Sequence, residues 1–187
     1  MGQSKIMLPT KKKKERYNAM LNITELTLKA AEYDVGDPKR INHFIKVHSF
    51  AKLIGEKEGL TADSLNLLEA AAVLHDIGIH NCEKKYGSTA GNYQQTEGVP
   101  VAENILVRLG AERELIEKIC FLIAHHHTYT GINSIEWQIL IEADFLVNIF
   151  EDGMSDSAVA SVREKIFRTA EGSKLLEEMY EEKYSLL

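Results

Sequence analysis

Little in this chain stiffens, staples or interrupts a fold. Cysteine occurs twice, at Cys82 and Cys120, and proline three times, at Pro9, Pro38 and Pro100. Two thiols do not make a disulfide framework, so a reducing, cytoplasmic setting is the default expectation. No apolar run approaches the ~18–20 residues of a membrane span, and residues 1–10 show no secretory h-region with a cleavage site. Positive charge is not in excess: 22 Lys+Arg stand against 28 Asp+Glu, a formal charge of −6. That balance argues against a nucleic-acid polymer or an anionic membrane as partner. The one low-complexity stretch, Lys11 to Lys14, has no aromatic or Gly/Arg pattern beside it and reads as a solvated helix start rather than a phosphate-contacting patch. No strand-like alternation and no fixed repeat is visible.

What is present is helical periodicity, and the expected fold is all-α. The length of 187 residues suits a single domain over 1–187. Its core is expected at about 38–150, with an N-terminal helix at about 13–33 and one or two acidic amphipathic helices at about 155–187 packed on it. Asp37 and Pro38 read as N-cap and first turn of a helix that ends before Gly59. The next starts after Thr61 and ends near Gly78, a C′ glycine by position. Residues 79–97 show little periodicity and read as a long connection, the kind that often forms a lid or binding loop. Further helices are expected from near Pro100 to Gly110, over 112–127, and over 134–151, the last with Asn133 and Glu136 spaced as a capping box.

All seven histidines, His43, His48, His75, His80, His125, His126 and His127, fall between positions 43 and 127. Several interrupt apolar stripes at helical spacing: His75 continues Leu65, Leu68 and Ala72; His43 shares a face with Val47, Ala51 and Ile54; His126 follows Ile116, Ile119 and Ile123. Asp144 interrupts Trp137, Leu140 and Ile141. A lone histidine on such a stripe is ordinarily a satisfied core residue. Two inward aspartates beside several imidazoles are different, because unpaired buried carboxylates cost several kcal/mol. A shared cation reconciles them, and helix bundles build metal sites this way. Imidazole with carboxylate suits Fe, Mn, Co, Ni or Zn.

The order Arg40-Ile41-Asn42-His43, then Ala72-Val73-Leu74-His75-Asp76-Ile77-Gly78, then Glu142-Ala143-Asp144 resembles the HD-domain metal-dependent phosphohydrolases. The Leu74–Gly78 string is its most specific piece, and Ala124–Gly131 is similar to the family's second histidine cluster. The resemblance covers about 38–150. It implies an HD-domain helical bundle in which His43, His75, Asp76 and Asp144 bind a first divalent ion (Fe, Mn, Co, Ni, Zn or Mg). Members with two ions add histidines, for which His126 is the best placed, with His125 or His127 beside it. At the position where another extra ligand often falls, this chain has Glu97, a carboxylate ligand or a helix-N-terminal glutamate. Many members carry a lysine after the His-Asp string; here Ile79 and His80 follow.

The implied activity is hydrolysis of a phosphomonoester or phosphodiester, with a nucleotide or other small phosphorylated metabolite as substrate. Asp76, or a nearby carboxylate, is expected to accept a proton from the attacking water. Arg40, by a bidentate phosphate contact, and His80 are the expected substrate contacts, with Lys84 and Lys85 weaker ones. Arg40 could instead bridge to a surface acid, and His80 could be an exposed loop histidine. Tyr129 and Trp137 could stack on a base, although Trp137 fits the core stripe. Cys120 reads as a reduced core residue, and Cys82 has no paired cysteine to make a thiolate site. The alternatives are an O2-dependent di-iron oxygenase of the same fold and a non-catalytic metal- or nucleotide-binding regulatory module. The acidic C-terminal helices leave a homo-oligomer open.

Overall fold

The chain's structure is a computed structural model that describes residues 20–180. Among the described residues it is all-α: α1 (Ile23–Tyr33), α2 (Pro38–Lys57), α3 (Ala62–Leu74), α4 (Ile79–Tyr86), α5 (Gly91–Arg108), α6 (Arg113–His125), α7 (Ile135–Glu151), α8 (Asp156–Ile166) and α9 (Ala170–Tyr180). None of these helices is long and apolar enough to cross a membrane.

Local chemistry sets most boundaries. Asn22 caps α1 by accepting from the Glu25 N–H, Asp37 caps α2 through the Arg40 N–H with Pro38 in the first turn, and Thr61 caps α3 through Ser64. α3 and α7 are buried on nearly all sides. Leu68 to Leu74 and most of Trp137 to Val147 are closed to solvent, the mark of central helices. α2 lies against both, α6 packs on α3 and α5, and α8 and α9 lie against α7. Three consecutive alanines, Ala70 to Ala72, keep α3 slim inside this packing.

Several sequence expectations need correction. The helix expected at about 13–33 begins, in the described part, only at Ile23, where Asn22 caps it; residues 13–19 of that span, and the Lys11 to Lys14 run, lie outside the described residues. The long connection at 79–97 is mostly helix. α4 fills 79–86 because Ile79 and Cys82 bury one face, and Gly87, at φ 60°, ends it. α5 starts at Gly91, and Pro100 sits inside it rather than at its start. Gly78 is not a left-handed cap: its φ is −83°. Glycine is required there because a Cβ would lie 2.4 Å from the Gly98 nitrogen, where the His75–Gly78 turn touches α5. The cap of α7 is Ser134, accepting from Trp137, not Asn133.

Candidate metal centre

Three helices and one turn deliver the site. His43 lies in the second turn of α2, and His75 and Asp76 lie where α3 breaks into a turn. His126 is the last residue of the α6 face, and Asp144 faces inward from the middle of α7. His75 is completely closed to solvent and His126 nearly so.

The imidazoles are oriented by what their outer nitrogens touch. His75 Nδ1 is 2.9 Å from the Ala72 carbonyl, and His126 Nδ1 is 2.7 Å from the Ile123 carbonyl. A carbonyl only accepts, so both Nδ1 atoms carry the proton and both Nε2 atoms face inward. His43 Nδ1 meets Glu151 Oε2 at 2.9 Å, with the same consequence. Inside, His43 Nε2 and His75 Nε2 are 3.2 Å apart. Asp144 Oδ1 lies 3.2 Å and 3.5 Å from them, and Asp76 Oδ2 lies 3.6 Å from each. Asp76 turns its other oxygen, Oδ1, to His126 Nε2 at 3.4 Å. Asn148 donates to Asp144 Oδ1 at 2.8 Å and fixes that carboxylate.

Two ligand groups result, His43–His75–Asp144 and Asp76–His126–His127, the ligand atoms of each within 4.8 Å of one another. The donor set fits a divalent cation. Three imidazole nitrogens and two carboxylates face one small volume, and His126 Nε2 is buried there with no hydrogen-bond partner.

The charges respond to this crowding. Burial alone would lower the His75 pKa, but the Asp76 and Asp144 carboxylates outweigh it and push it up to about 9. His43 is likewise raised, its burial overcome by Asp144 and Asp76. Burial works against the charge of Asp76 and Asp144, yet the facing imidazoles hold both well below the usual carboxylate range. His127 goes the other way: burial and the neighbouring His126 lower it to about 4, so it is a neutral imidazole at pH 7. Burial pushes the Tyr129 hydroxyl up to about 12.

The other expected site residues go elsewhere. His125 turns its Nδ1 to the Phe121 carbonyl and stacks on Phe121, away from the centre; α6 ends there, and one residue rotates the next side chain by about 100°. Glu97 is buried, but Lys85 and Tyr86 of α4 take its two oxygens. His80 faces Asp34 (3.3 Å), Asp37 (3.8 Å) and Glu83 (3.6 Å), surroundings that repel an anionic substrate. Arg40 bridges Glu83 at 3.1 Å, with its Nε left without a hydrogen bond. Trp137 is in the core, donating to the His125 carbonyl. Cys82 is buried on α4 and burial raises its thiol pKa, while Cys120 is half-buried.

Sequence reasoning passed over Gly91, Gln94 and Glu151. A Cβ on Gly91 would lie 2.7 Å from the His127 ring, and Gln94 Oε1 is 3.3 Å from His127 Nε2. A glycine and a glutamine in an aperiodic stretch carry no signal of such a role. Glu151 at a helix end reads as surface charge.

Comparison with known proteins agrees with this picture. The family model of the HD domain matches residues 40–149. The chain is similar to a crystal structure of a predicted HD superfamily hydrolase from an uncultured Thermotogales bacterium. The identity is 26% and the TM-score 0.58, over 84% of this chain and 83% of that one. It is also similar to YpgQ of Bacillus subtilis, with a TM-score of 0.60 over 85% of this chain and 86% of that one; at 18% identity this likeness shows the fold alone. Among curated proteins nothing matches.

Proposed function

The chain belongs to the HD domain family, and on that premise we propose that it is a metal-dependent phosphohydrolase acting on a small phosphorylated substrate such as a nucleotide. The similarity to a predicted HD superfamily hydrolase supports hydrolysis. The observation that carries the metal is the buried, unpartnered His126 Nε2, facing Asp76 beside the two inward Nε2 atoms of His43 and His75.

In this reading His43, His75, Asp76 and Asp144 hold the first ion. Asp76, whose two oxygens face the two ligand groups, is shared with a second set made by His126 and His127. A divalent ion supplies Lewis acidity toward a phosphoryl oxygen and lowers the pKa of the attacking water. The chain's own residues do the rest. Asp76, held ionised by the imidazoles around it, accepts a hydrogen bond from that water and orients it; a carboxylate held so low is a weak base, and the proton passes on to solvent. His127, neutral at pH 7, presents a lone pair rather than a competing charge. Arg40, three residues before His43 on α2, is the proposed phosphate contact; in this structure Glu83 at 3.1 Å and Asp37 at 3.8 Å pair with it. An oxygenase needs a complete second ligand set, and the engagement of Glu97 by Lys85 and Tyr86 takes a carboxylate away from it.

Elemental analysis of the purified protein, with a panel of phosphomonoesters and phosphodiesters assayed in parallel, tests the proposal. A transition metal or Mg at one or two per chain, with hydrolysis lost in Asp76→Ala, is the expected result. Wild-type turnover in Asp76→Ala contradicts it, and oxygen consumption by the iron-loaded protein without phosphate release selects the oxygenase.

A further inference from the structure

The three inward-facing histidines are not held alike. Backbone carbonyls of their own helices, Ala72 and Ile123, fix the outer nitrogens of His75 and His126. His43 alone depends on a side chain from a different helix: Glu151, the last residue of α7, whose Oε2 is 2.9 Å from His43 Nδ1. Glu151 and Asp144 are seven residues apart, two turns of one helix, and so share a face. α7 therefore grips both nitrogens of one imidazole, Asp144 Oδ1 at 3.2 Å from Nε2 and Glu151 Oε2 on Nδ1. The other Glu151 oxygen is taken by Lys46, three residues after His43 on α2. The linkage runs from α2 to α7 and back within a single turn of α2.

We infer that Glu151 is a positioning residue that locks His43 with its proton on Nδ1 and its Nε2 lone pair toward the centre, and that Lys46 holds Glu151 in that place. A carboxylate only accepts, so it fixes the imidazole tautomer. Its charge makes the opposite nitrogen a stronger donor, as outer carboxylates do for metal-bound histidines. Lys46 alone would account for a rim ion pair, but not for a glutamate side chain only 14% exposed that divides its oxygens between a lysine and an imidazole. The inference rests on reading His43 as a metal ligand.

Two readouts test it separately. Titration of the metal-free protein with Mn2+ gives the affinity. Nitrogen-15 NMR of the histidine rings at alkaline pH, without metal, gives the His43 tautomer. Glu151→Ala is expected to weaken Mn2+ binding by about 10–100-fold and to leave His43 a mixture of tautomers. Glu151→Gln, whose amide oxygen still accepts, keeps the Nδ1–H form and loses less affinity. Lys46→Met, at a position 43% exposed and tolerant of exchange, loses affinity in the same direction by a few-fold. Wild-type affinity and a single Nδ1–H tautomer in both Glu151→Ala and Lys46→Met overturn the inference. Should Glu151→Ala not fold, unchanged affinity in both Glu151→Gln and Lys46→Met overturns it equally. Wild-type Mn2+ affinity in His43→Ala instead defeats the ligand assignment of His43, while the NMR readout still decides whether Glu151 governs the ring.

Discussion

Glu142 and Asp144 lie two residues apart on α7, both inside the bundle, and their surroundings provide for them in opposite ways. Glu142 is completely closed to solvent, and neutral donors satisfy it. The Gln138 amide gives 2.7 Å, the Arg168 N–H 2.6 Å, the Thr169 N–H 2.9 Å, and the Thr169 hydroxyl also donates. It ties the start of α9 to α7, and nothing is left for a ligand to do. Asp144 has one neutral donor, Asn148, and otherwise faces two imidazoles, with a second carboxylate nearby. A finished hydrogen-bond shell marks a structural carboxylate. A convergence of carboxylates and imidazole nitrogens marks one whose partner is a cation, protons on the imidazoles in the metal-free protein and a metal ion in the loaded one.

The sharpest way to break that contrast is to exchange each carboxylate. Asp144→Asn keeps the shape and removes the charge. Mn2+ affinity is expected to fall by more than about 100-fold, beyond the effect of losing an outer partner, and hydrolysis falls with it; calorimetric titration checks this. Glu142→Ala strands several buried donors, each costing about 1–3 kcal/mol, so a denaturant melt should show a loss of about 3 kcal/mol or more. Its folded fraction should bind Mn2+ within about twofold of wild type, the centre being fixed by other contacts. A metal defect without a stability defect in Glu142→Ala would erase the distinction.

A smaller effect is expected in the pH dependence of the centre itself. The folded pKa of His75 is raised to about 9, so its contribution to the stability of the metal-free protein is fully present below its unfolded value and is lost as pH rises through about 9. Asp76 and Asp144 are held low, so they remain charged throughout. The melting temperature of the metal-free protein should therefore fall between pH 7 and pH 9, and a saturating divalent ion should remove the fall by replacing the lost protons. The smallest effect is at the triplet: His125→Ala should leave Mn2+ affinity within about twofold of wild type, whereas His126→Ala should lose about tenfold or more.

The part of the site read from sequence is the part carried by period. His43, His75, His126 and Asp144 each replace a core residue at three- or four-residue spacing, and burial follows from that position. What was not legible is set by contacts between helices distant in sequence. α4 is eight residues long with one buried edge, Ile79 and Cys82, too short for its stripe to stand out. Pro100 signals a helix start by its usual preference, yet α5 continues through it. Glu97 occupies a ligand-like place in the chain, and only the position of α4 shows that Lys85 and Tyr86 take it. Glu142 and Glu151 carry no sequence mark, because a glutamate on a helix is ordinarily solvated.

The central claim is that His43, His75, Asp76 and Asp144 surround a cation. Diffraction from crystals soaked in Mn2+, with data collected at the manganese absorption edge, tests it most directly. The account predicts an anomalous peak in contact with His43 Nε2, His75 Nε2 and the Asp76 and Asp144 carboxylates. A site filled by water alone, with no peak at millimolar Mn2+, would contradict it.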